Sequence, residues 1–295
     1  MISVVVPLYN KEGCIANTLE SVLNQSFCDF EVIVVDDGST DGSSRIVSSI
    51  SDSRVKLITQ KNGGPSSARN RGINEAKYEY VAFLDADDLW SPVFLEEMAG
   101  LIHRFPDALC WGFNYSVIKD RKTLALEQEG DSGYIDSEWR FSYFPFCSSS
   151  CCCRKSSLIE LGGFDERMMY GEDLDMWFRL LLVGRGVMDT RIMAYYNQDV
   201  TDSLMQKRIP LEKHLPFFID KYADARKNNE DFRRYFDEQM VYRLYPYLFD
   251  KAYKETAHSL AEKLDFSLLK KSMKFRMEYP YIYRCIRRIK GSIKM

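Results

Sequence analysis

The 295 residues suffice for one large domain with an appendage, or for two modest domains. Apolar residues at 45% and charged residues at 28% exclude a disordered chain, and a formal charge of −3 gives no general affinity for nucleic acid. No stretch reaches the ~20 apolar residues that span a bilayer. Met1 runs at once into a strand-like segment, without the basic start or cleavage site of a signal peptide, so the expectation is a cytoplasmic chain with reduced thiols. Four of the eight cysteines crowd at Cys147, Cys151, Cys152 and Cys153. None of their spacings is that of a zinc ribbon, and neighbours on a strand face opposite ways, so they do not converge on one ion.

In chain order, Ile2 to Val6 is a β-branched apolar run suited to a buried parallel strand. Ile15, Leu19, Val22 and Leu23 repeat at helical spacing. Glu31 to Val35 is a second buried strand, ending in Asp36-Asp37-Gly38-Ser39. Ile46, Val47 and Ile50 mark a helix, and Val55 to Ile58 a third strand. After Gly63-Gly64-Pro65, Ser66 or Ser67 is placed to cap a helix running to about Ala76. Tyr80 to Leu84 is a fourth strand, delivering Asp85-Ala86-Asp87-Asp88. Ser91-Pro92 opens another helix, with Leu95, Met98, Leu101 and Ile102 on its inner stripe.

Strand and helix thus alternate four times, as in an α/β sheet with right-handed crossovers. Ligands bind such sheets at the carboxyl ends of the strands. Tyr9-Asn10-Lys11-Glu12, Asp36-Asp37 and Asp85 to Asp88 all fall at those ends and are expected to line one rim.

The middle is less regular. Leu109, Trp111, Phe113, Tyr115 and Val117 alternate as a half-buried strand. Lys119 to Pro145 reads as a long polar loop with a short element in it, Phe146 to Cys153 as a strand, and Ser156 to Leu161 as a helix. Glu172 to Val183 is a helix with Leu174, Trp177, Phe178 and Leu181 on one face, and Val187 to Tyr196 a last strand. Beyond Ser203 the chain reads as helical, which sets a boundary there: 1–203 and 204–295.

Asp85 and Asp87 share one side of an extended segment, with Asp88 beside them. Unpaired they repel one another, and a hard cation such as Mg²⁺ or Mn²⁺ removes that cost. A solvated acidic turn capping the next helix explains the same spacing, with Asp88 best suited to that role. Spacing alone leaves both readings open.

Five blocks occur in order: Ile2-Ser3-Val4-Val5-Val6-Pro7-Leu8-Tyr9-Asn10, Ser21-Val22-Leu23-Asn24-Gln25-Ser26, Val34-Val35-Asp36-Asp37-Gly38-Ser39-Thr40-Asp41, Ser67-Ala68-Arg69-Asn70-Arg71-Gly72 and Phe83-Leu84-Asp85-Ala86-Asp87-Asp88. Gly162-Gly163-Phe164-Asp165-Glu166, Gly171-Glu172-Asp173 and Trp177 follow. Together they resemble the family 2 glycosyltransferases, inverting nucleotide-sugar enzymes of the GT-A fold, over about the first two hundred residues. The resemblance implies a mixed, mostly parallel α/β sheet flanked by helices, with a nucleotide-binding half (1–117), an acceptor half (118–203) and a helical C-terminal extension.

It also implies roles. Pro7, Tyr9 and Glu12 would border the base and ribose. Asp37, with Asp36 beside it, would accept hydrogen bonds from the base, which favours uracil and hence a UDP-sugar. Arg69 would lie near base or diphosphate. Asp85 and Asp87 would form the D-x-D pair, Asp87 on a Mn²⁺ or Mg²⁺ ion and Asp85 on the ribose or a metal-bound water, with Ala86 between them at the nucleotide. Asp173 would be the general base, and Glu172 and Trp177 would meet the acceptor. Inversion needs such a base opposite the leaving diphosphate, and a carboxylate opening a helix is held firmly in its ionised form. N-terminal helix acids without a catalytic role, and Asp165 and Glu166 as turn residues, remain the plain alternatives. The family often carries a His after the last strand. Here Tyr196-Asn197-Gln198-Asp199 has none, and Asp199 is the candidate substitute ligand beside the plainer reading of a loop aspartate.

Phe266 to Met295 holds nine Lys or Arg against Glu278 alone, so a +8 tail follows a −11 body. Ile282, Ile286, Ile289 and Ile293 keep helical spacing, and Pro280 divides the segment. A helix lying on an anionic bilayer and a helix packed on the protein with a solvated basic face both fit. The expected setting is synthesis of a surface polysaccharide on a saccharide or lipid-linked acceptor, at the inner face of the cell membrane. Trp139, Tyr143 and Phe144 are candidates to stack on acceptor sugar or to pack in a core.

Rival classes are weaker. A nucleotide-binding dehydrogenase would carry G-x-G-x-x-G in Leu8 to Gly13, which is absent. A nucleotidyltransferase would carry a Gly-rich basic loop after the first strand, where only Lys11 stands. The non-enzymatic alternative is an inactive nucleotide-binding scaffold or a partner subunit of another transferase, distinguished by turnover.

Overall fold

The computed structural model describes residues 1–118, 130–135, 147–168, 170–197, 210–211 and 215–292. They fall into two compact units, residues up to 197 in the first and residues from 210 in the second.

The first unit is built on a mixed sheet. Its strands are β1 (Ile2–Leu8), β2 (Phe30–Asp36), β3 (Val55–Thr59), β4 (Tyr80–Phe83), β5 (Leu89–Trp90), β6 (Cys110–Ile118), β7 (Ser132–Ile135), β8 (Cys151–Arg154) and β9 (Gly186–Asn197). They lie in the order β3-β2-β1-β4-β8-β6-β9-β5, with β7 also on β9. The long ladders, β1 with β2 and β4, β2 with β3, and β6 with β9, are parallel. β8 joins the two halves through short antiparallel ladders to β4 and β6.

Helices α1 (Ile15–Leu23), α2 (Ser43–Ser48), α3 (Pro65–Glu75) and α4 (Phe94–Arg104) cross over between strands, and α5 (Lys155–Glu160) and α6 (Glu172–Val183) complete the layers. Apart from Ser3, Glu31 and Asp36, β1 and β2 are apolar, because helices cover both faces. Val4, Val6, Val32 and Val34 are wholly buried against Ile15, Leu19 and Val22 of α1. On the other face α3 reaches β1 at Gly72, where an added Cβ would sit 2.3 Å from Val5 Cγ1.

Several expectations need correction. β6 is not half-buried by alternation: Cys110 to Phe113 are buried on both faces because the strand is central, between β8 and β9. β8 begins at Cys151, since Ser148–Ser150 wind into a 3₁₀ turn, and Cys151, Cys152 and Cys153 are buried strand residues. α3 starts at Pro65 after a left-handed Gly64 (φ 87°), with no side-chain cap from Ser66 or Ser67. α4 starts at Phe94 rather than Pro92, because Leu89-Trp90 pair with β9 first. Asp199, Trp139, Tyr143, Phe144 and Ile293 lie outside the described residues, as does most of the loop expected at 119–145.

The second unit is helical: α7 (Leu215–Lys221), α8 (Ala223–Asn228), α9 (Glu230–Leu244), a 3₁₀ turn (Tyr245–Phe249), α10 (Lys254–Glu262), α11 (Lys271–Glu278) and α12 (Pro280–Ser292). Phe218, Tyr222, Phe232 and Phe236 form its aromatic core. Arg226 pairs with the fully buried Asp237 at 2.8 Å, and Asp237 also accepts the Asp265 N–H at 2.7 Å. Asn229 caps α9 by accepting the Phe232 N–H at 2.9 Å.

Candidate active site

The carboxyl ends of β1, β2 and β4 meet at one rim, and hydrogen bonds tie their loops together. Asn10 takes a left-handed backbone (φ 51°), which Asn tolerates better than most residues. Its side chain accepts the Thr40 N–H at 2.8 Å, and its own N–H donates to Ser39 Oγ at 3.0 Å. Lys11 N–H donates to Ser43 Oγ at 2.8 Å, and Glu12 accepts the Gly42 N–H at 2.6 Å, placing its charge at the start of α2. Tyr9 projects from this loop with 47% of its surface exposed, and Pro7 sits half-buried in β1 beneath it.

Asp36 and Asp37 are buried, and both face the backbone. Asp36 accepts the Ser39 N–H at 3.0 Å. Asp37 accepts Gly63 N–H at 2.9 Å, Gly64 N–H at 2.7 Å and Gln60 Nε2 at 2.8 Å. In this structure Asp37 therefore shapes the turn leading into α3.

Each acid of the β4 end has its own partner. Asp85 accepts Arg69 Nη2 at 2.8 Å, and Asp87 accepts Lys11 Nζ at 2.6 Å. Asp88 is buried and bonds to the Ser149 hydroxyl and, at 3.1 Å, to the Asn197 N–H at the end of β9. That corrects the reading of Asp88 as a solvated helix cap: it ties three segments together from inside. Ala86 is buried, its carbonyl accepting Thr18 Oγ1 at 2.9 Å. Burial raises the Asp87 carboxyl above the usual range, and the nearby Lys11 ammonium opposes that shift.

Arg69 is the link to α6. Its Nη1 donates to Glu172 Oε1 at 2.8 Å while Nη2 holds Asp85, and the guanidinium lies 5.4 Å from the centre of the Phe164 ring. Burial would favour losing the Arg69 proton, but the two carboxylates override it and hold the pKa above the ordinary arginine value. Burial likewise raises the Glu172 carboxyl, against the pull of Arg69.

Gly171 (φ 78°) turns the chain into α6, leaving Asp173 partly exposed in its first turn. The preceding loop is fixed by Asn70, which accepts the Phe164 N–H at 2.7 Å and donates to Phe164 O at 2.9 Å and Glu166 Oε1 at 3.0 Å. Gly163 is required there, since its φ is 71° and a Cβ would meet Asn70 Oδ1 at 2.5 Å. Asp165 pairs with Arg167 at 2.7 Å and Glu166 accepts from Asn70, so these two acids fix a turn.

Trp177, expected to meet the acceptor, packs in the core. It is wholly buried, with its ring edge-on to Phe164 (centroids 6.1 Å apart) and tilted against Phe83 (6.5 Å). One helical turn after Asp173, it faces the core. Two residues gain importance beyond the sequence reading: Lys11, as the cation on Asp87, and Ser149, which accepts the Asp85 N–H at 3.0 Å while donating to Asp88. Lys11 was traceable as the cation at the end of β1, whereas Ser149 lies in a polar run with no distinguishing signal.

The donor set suits a hard divalent cation. Two carboxylates project from one strand end, and each is neutralised by a cation from elsewhere in the chain. Among the described residues no three His, Cys, Asp or Glu side chains converge. A cation would take one or two carboxylates from the protein and complete its shell with phosphate and water, as Mg²⁺ and Mn²⁺ do.

Comparison with known proteins gives this site a context. The family model described as Glycosyl transferase family 2 matches residues 3–162. The amylovoran biosynthesis glycosyltransferase AmsB of Erwinia amylovora is 33% identical, over 74% of this chain and 76% of its own. WfgD of Escherichia coli, a UDP-Glc:α-D-GlcNAc-diphosphoundecaprenol β-1,3-glucosyltransferase, is 28% identical over 61% of this chain and 70% of its own. An uncharacterized glycosyltransferase of Rickettsia typhi is 29% identical over 65% of this chain, which spans 62% of that relative's length. Staphylococcus aureus TarS 1-349, solved with UDP-GlcNAc, superposes over 94% of this chain and 76% of its own, with a TM-score of 0.63 and 22% identity, which establishes a shared GT-A fold. A family match across more than half of the residues, joined to the likeness to AmsB along most of both chains, shows that this chain belongs to glycosyltransferase family 2.

Proposed function

We propose that this protein transfers a sugar, with inversion, from a UDP-linked donor to a hydroxyl of a saccharide or lipid-linked acceptor in polysaccharide synthesis. The observation that carries the reading is the Arg69 bridge: one buried guanidinium joins Asp85, at the end of β4, to Glu172, at the start of α6. It couples the D-x-D loop to the helix that bears Asp173.

In this reading Pro7, Tyr9 and Glu12 border the nucleotide, and Asp36 and Asp37 shape the base side of its pocket. Asp87, with Asp85, would hold Mn²⁺ or Mg²⁺. When bound, the ion supplies positive charge for the leaving diphosphate. Lys11, paired with Asp87 here, would be a cation available to the same phosphates. Asp173 takes the proton of the acceptor hydroxyl as that oxygen bonds to the anomeric carbon and the bond to the diphosphate breaks. Glu172, held by Arg69, keeps the first turn of α6 in register. WfgD's lipid-diphosphate acceptor and the UDP-GlcNAc in TarS support the donor and acceptor classes. The 1–203 and 204–295 division assigns this chemistry to the first unit.

Calorimetric titration of UDP, GDP and dTDP, with and without Mn²⁺, tests the reading. The expected outcome is Mn²⁺-dependent binding of UDP, lost in Asp87→Ala and retained in Asp173→Asn. Turnover of UDP-sugars falls in Asp173→Asn by about 10²–10⁴-fold, the contribution of a general base. Failure of folded protein to bind any of the three nucleotides defeats it.

A further inference from the structure

Helix α12 leaves two isoleucines exposed instead of burying them. Ile282 is 53% exposed and Ile286 39%, with Tyr281 at 58% and Tyr279, just before the helix, at 51%. The inner face of α12 is identified by its contacts. The Pro280 carbonyl accepts Tyr245 Oη at 3.3 Å, the Tyr283 ring meets Tyr245 edge-on at 5.8 Å, and the Arg284 guanidinium lies 4.9 Å from the centre of the Phe249 ring. Tyr281 touches Phe249 from the edge of this face, ring centroids 5.2 Å apart.

At about 100° per residue, Pro280, Tyr283 and Arg284 share one half of the helix, and Ile282 and Ile286 point away from it. The isoleucines are therefore not the packing face of α12; the opposite side serves that purpose. In sequence a further isoleucine follows at 289, three positions on and at helical spacing, with Arg287, Arg288 and Lys290 as its neighbours.

We propose that α12 docks on an anionic lipid bilayer, its isoleucine stripe entering the headgroup–acyl boundary and its basic residues facing acidic headgroups. Charge selects the partner, because residues 266–295 carry nine Lys or Arg against one Glu. The apolar stripe selects a bilayer over nucleic acid, which offers isoleucine nothing to enter. A stripe one helix wide is also narrow for a protein interface of ordinary size. This inference stands on α12 and its packing, independently of the catalytic reading.

Sedimentation of the full chain with vesicles tests it. The vesicles are phosphatidylcholine alone, and phosphatidylcholine with about one third phosphatidylglycerol, at low and high salt. Expected is at least about five-fold more bound protein on the anionic vesicles, weakened by salt and largely lost in Ile282→Ser/Ile286→Ser. Both positions are exposed, so the variant keeps its fold, checked by circular dichroism. UDP titration of both proteins reports separately on the catalytic reading. Equal sedimentation of the double variant, equal sedimentation with neutral vesicles, or none with either overturns the proposal. So does a dimer in gel filtration that the double variant abolishes without any vesicle binding by the parent chain.

Discussion

Asp85, Asp87 and Asp88 lie within four positions of one another yet occupy three environments. Arg69 holds Asp85 and Lys11 holds Asp87, whereas Asp88 bonds to the Ser149 hydroxyl and a backbone N–H, with no cation paired to it among the described residues. Burial, and then the charges of Asp85 and Asp87, push the Asp88 carboxyl well above the usual range, more than its hydrogen bonds pull it down. A group whose folded value is raised stabilises fully below its unfolded pKa of about 3.9, and loses that contribution as pH rises through the folded value. Without divalent cations, urea-unfolding free energy should therefore fall as pH rises above about 4, and Asp88→Asn should flatten the fall. Equal slopes in the two proteins would refute this account. The crowding of three acids was legible in the sequence. Their partners were not, since Lys11 stands 76 positions from Asp87 and Ser149 stands 61 from Asp88.

The parallel strands and crossover helices were readable because complete burial demands continuous apolar runs, and β1 and β2 supply them. β6 misled for the converse reason: an alternating pattern suggests one wet face, but its position between β8 and β9 buries Cys110 to Phe113 whatever the alternation. The packing of α3 on β1 adds a constraint that periodicity does not carry. Alanine improves a helix interior over glycine by about 1 kcal/mol. At position 72, however, its methyl group would stand 2.3 Å from Val5 Cγ1, and overpacking costs about 1–3 kcal/mol. So close an approach belongs at the upper end, and Gly72→Ala should destabilise by roughly 1–2 kcal/mol in urea unfolding. A more stable variant would show that α3 can lift from β1 without loss.

For the whole molecule, ligand linkage gives the broadest check on the proposed chemistry. UDP with Mn²⁺, at 100 times its dissociation constant, should stabilise the chain by about 2.7 kcal/mol and raise its unfolding temperature. Asp87→Ala should show no such rise, and an equal rise would place the metal elsewhere. Local order in the chain determined a great deal: an α/β sheet whose first, second and fourth strands end in acid-bearing loops, a helix opening at Glu172-Asp173, and an amphipathic basic C-terminal segment. These follow from burial periodicity and from residue types at strand ends, which neighbours in sequence suffice to encode. Only the tertiary structure decided which cation meets which acid, that Asp37 and Asp88 face inward to backbone groups, that Trp177 belongs to the core, and that Ile282 and Ile286 face away from the helices α12 packs on. Those outcomes depend on partners dozens of residues apart, and burial at such contacts is a property of the assembled layers that no local pattern contains.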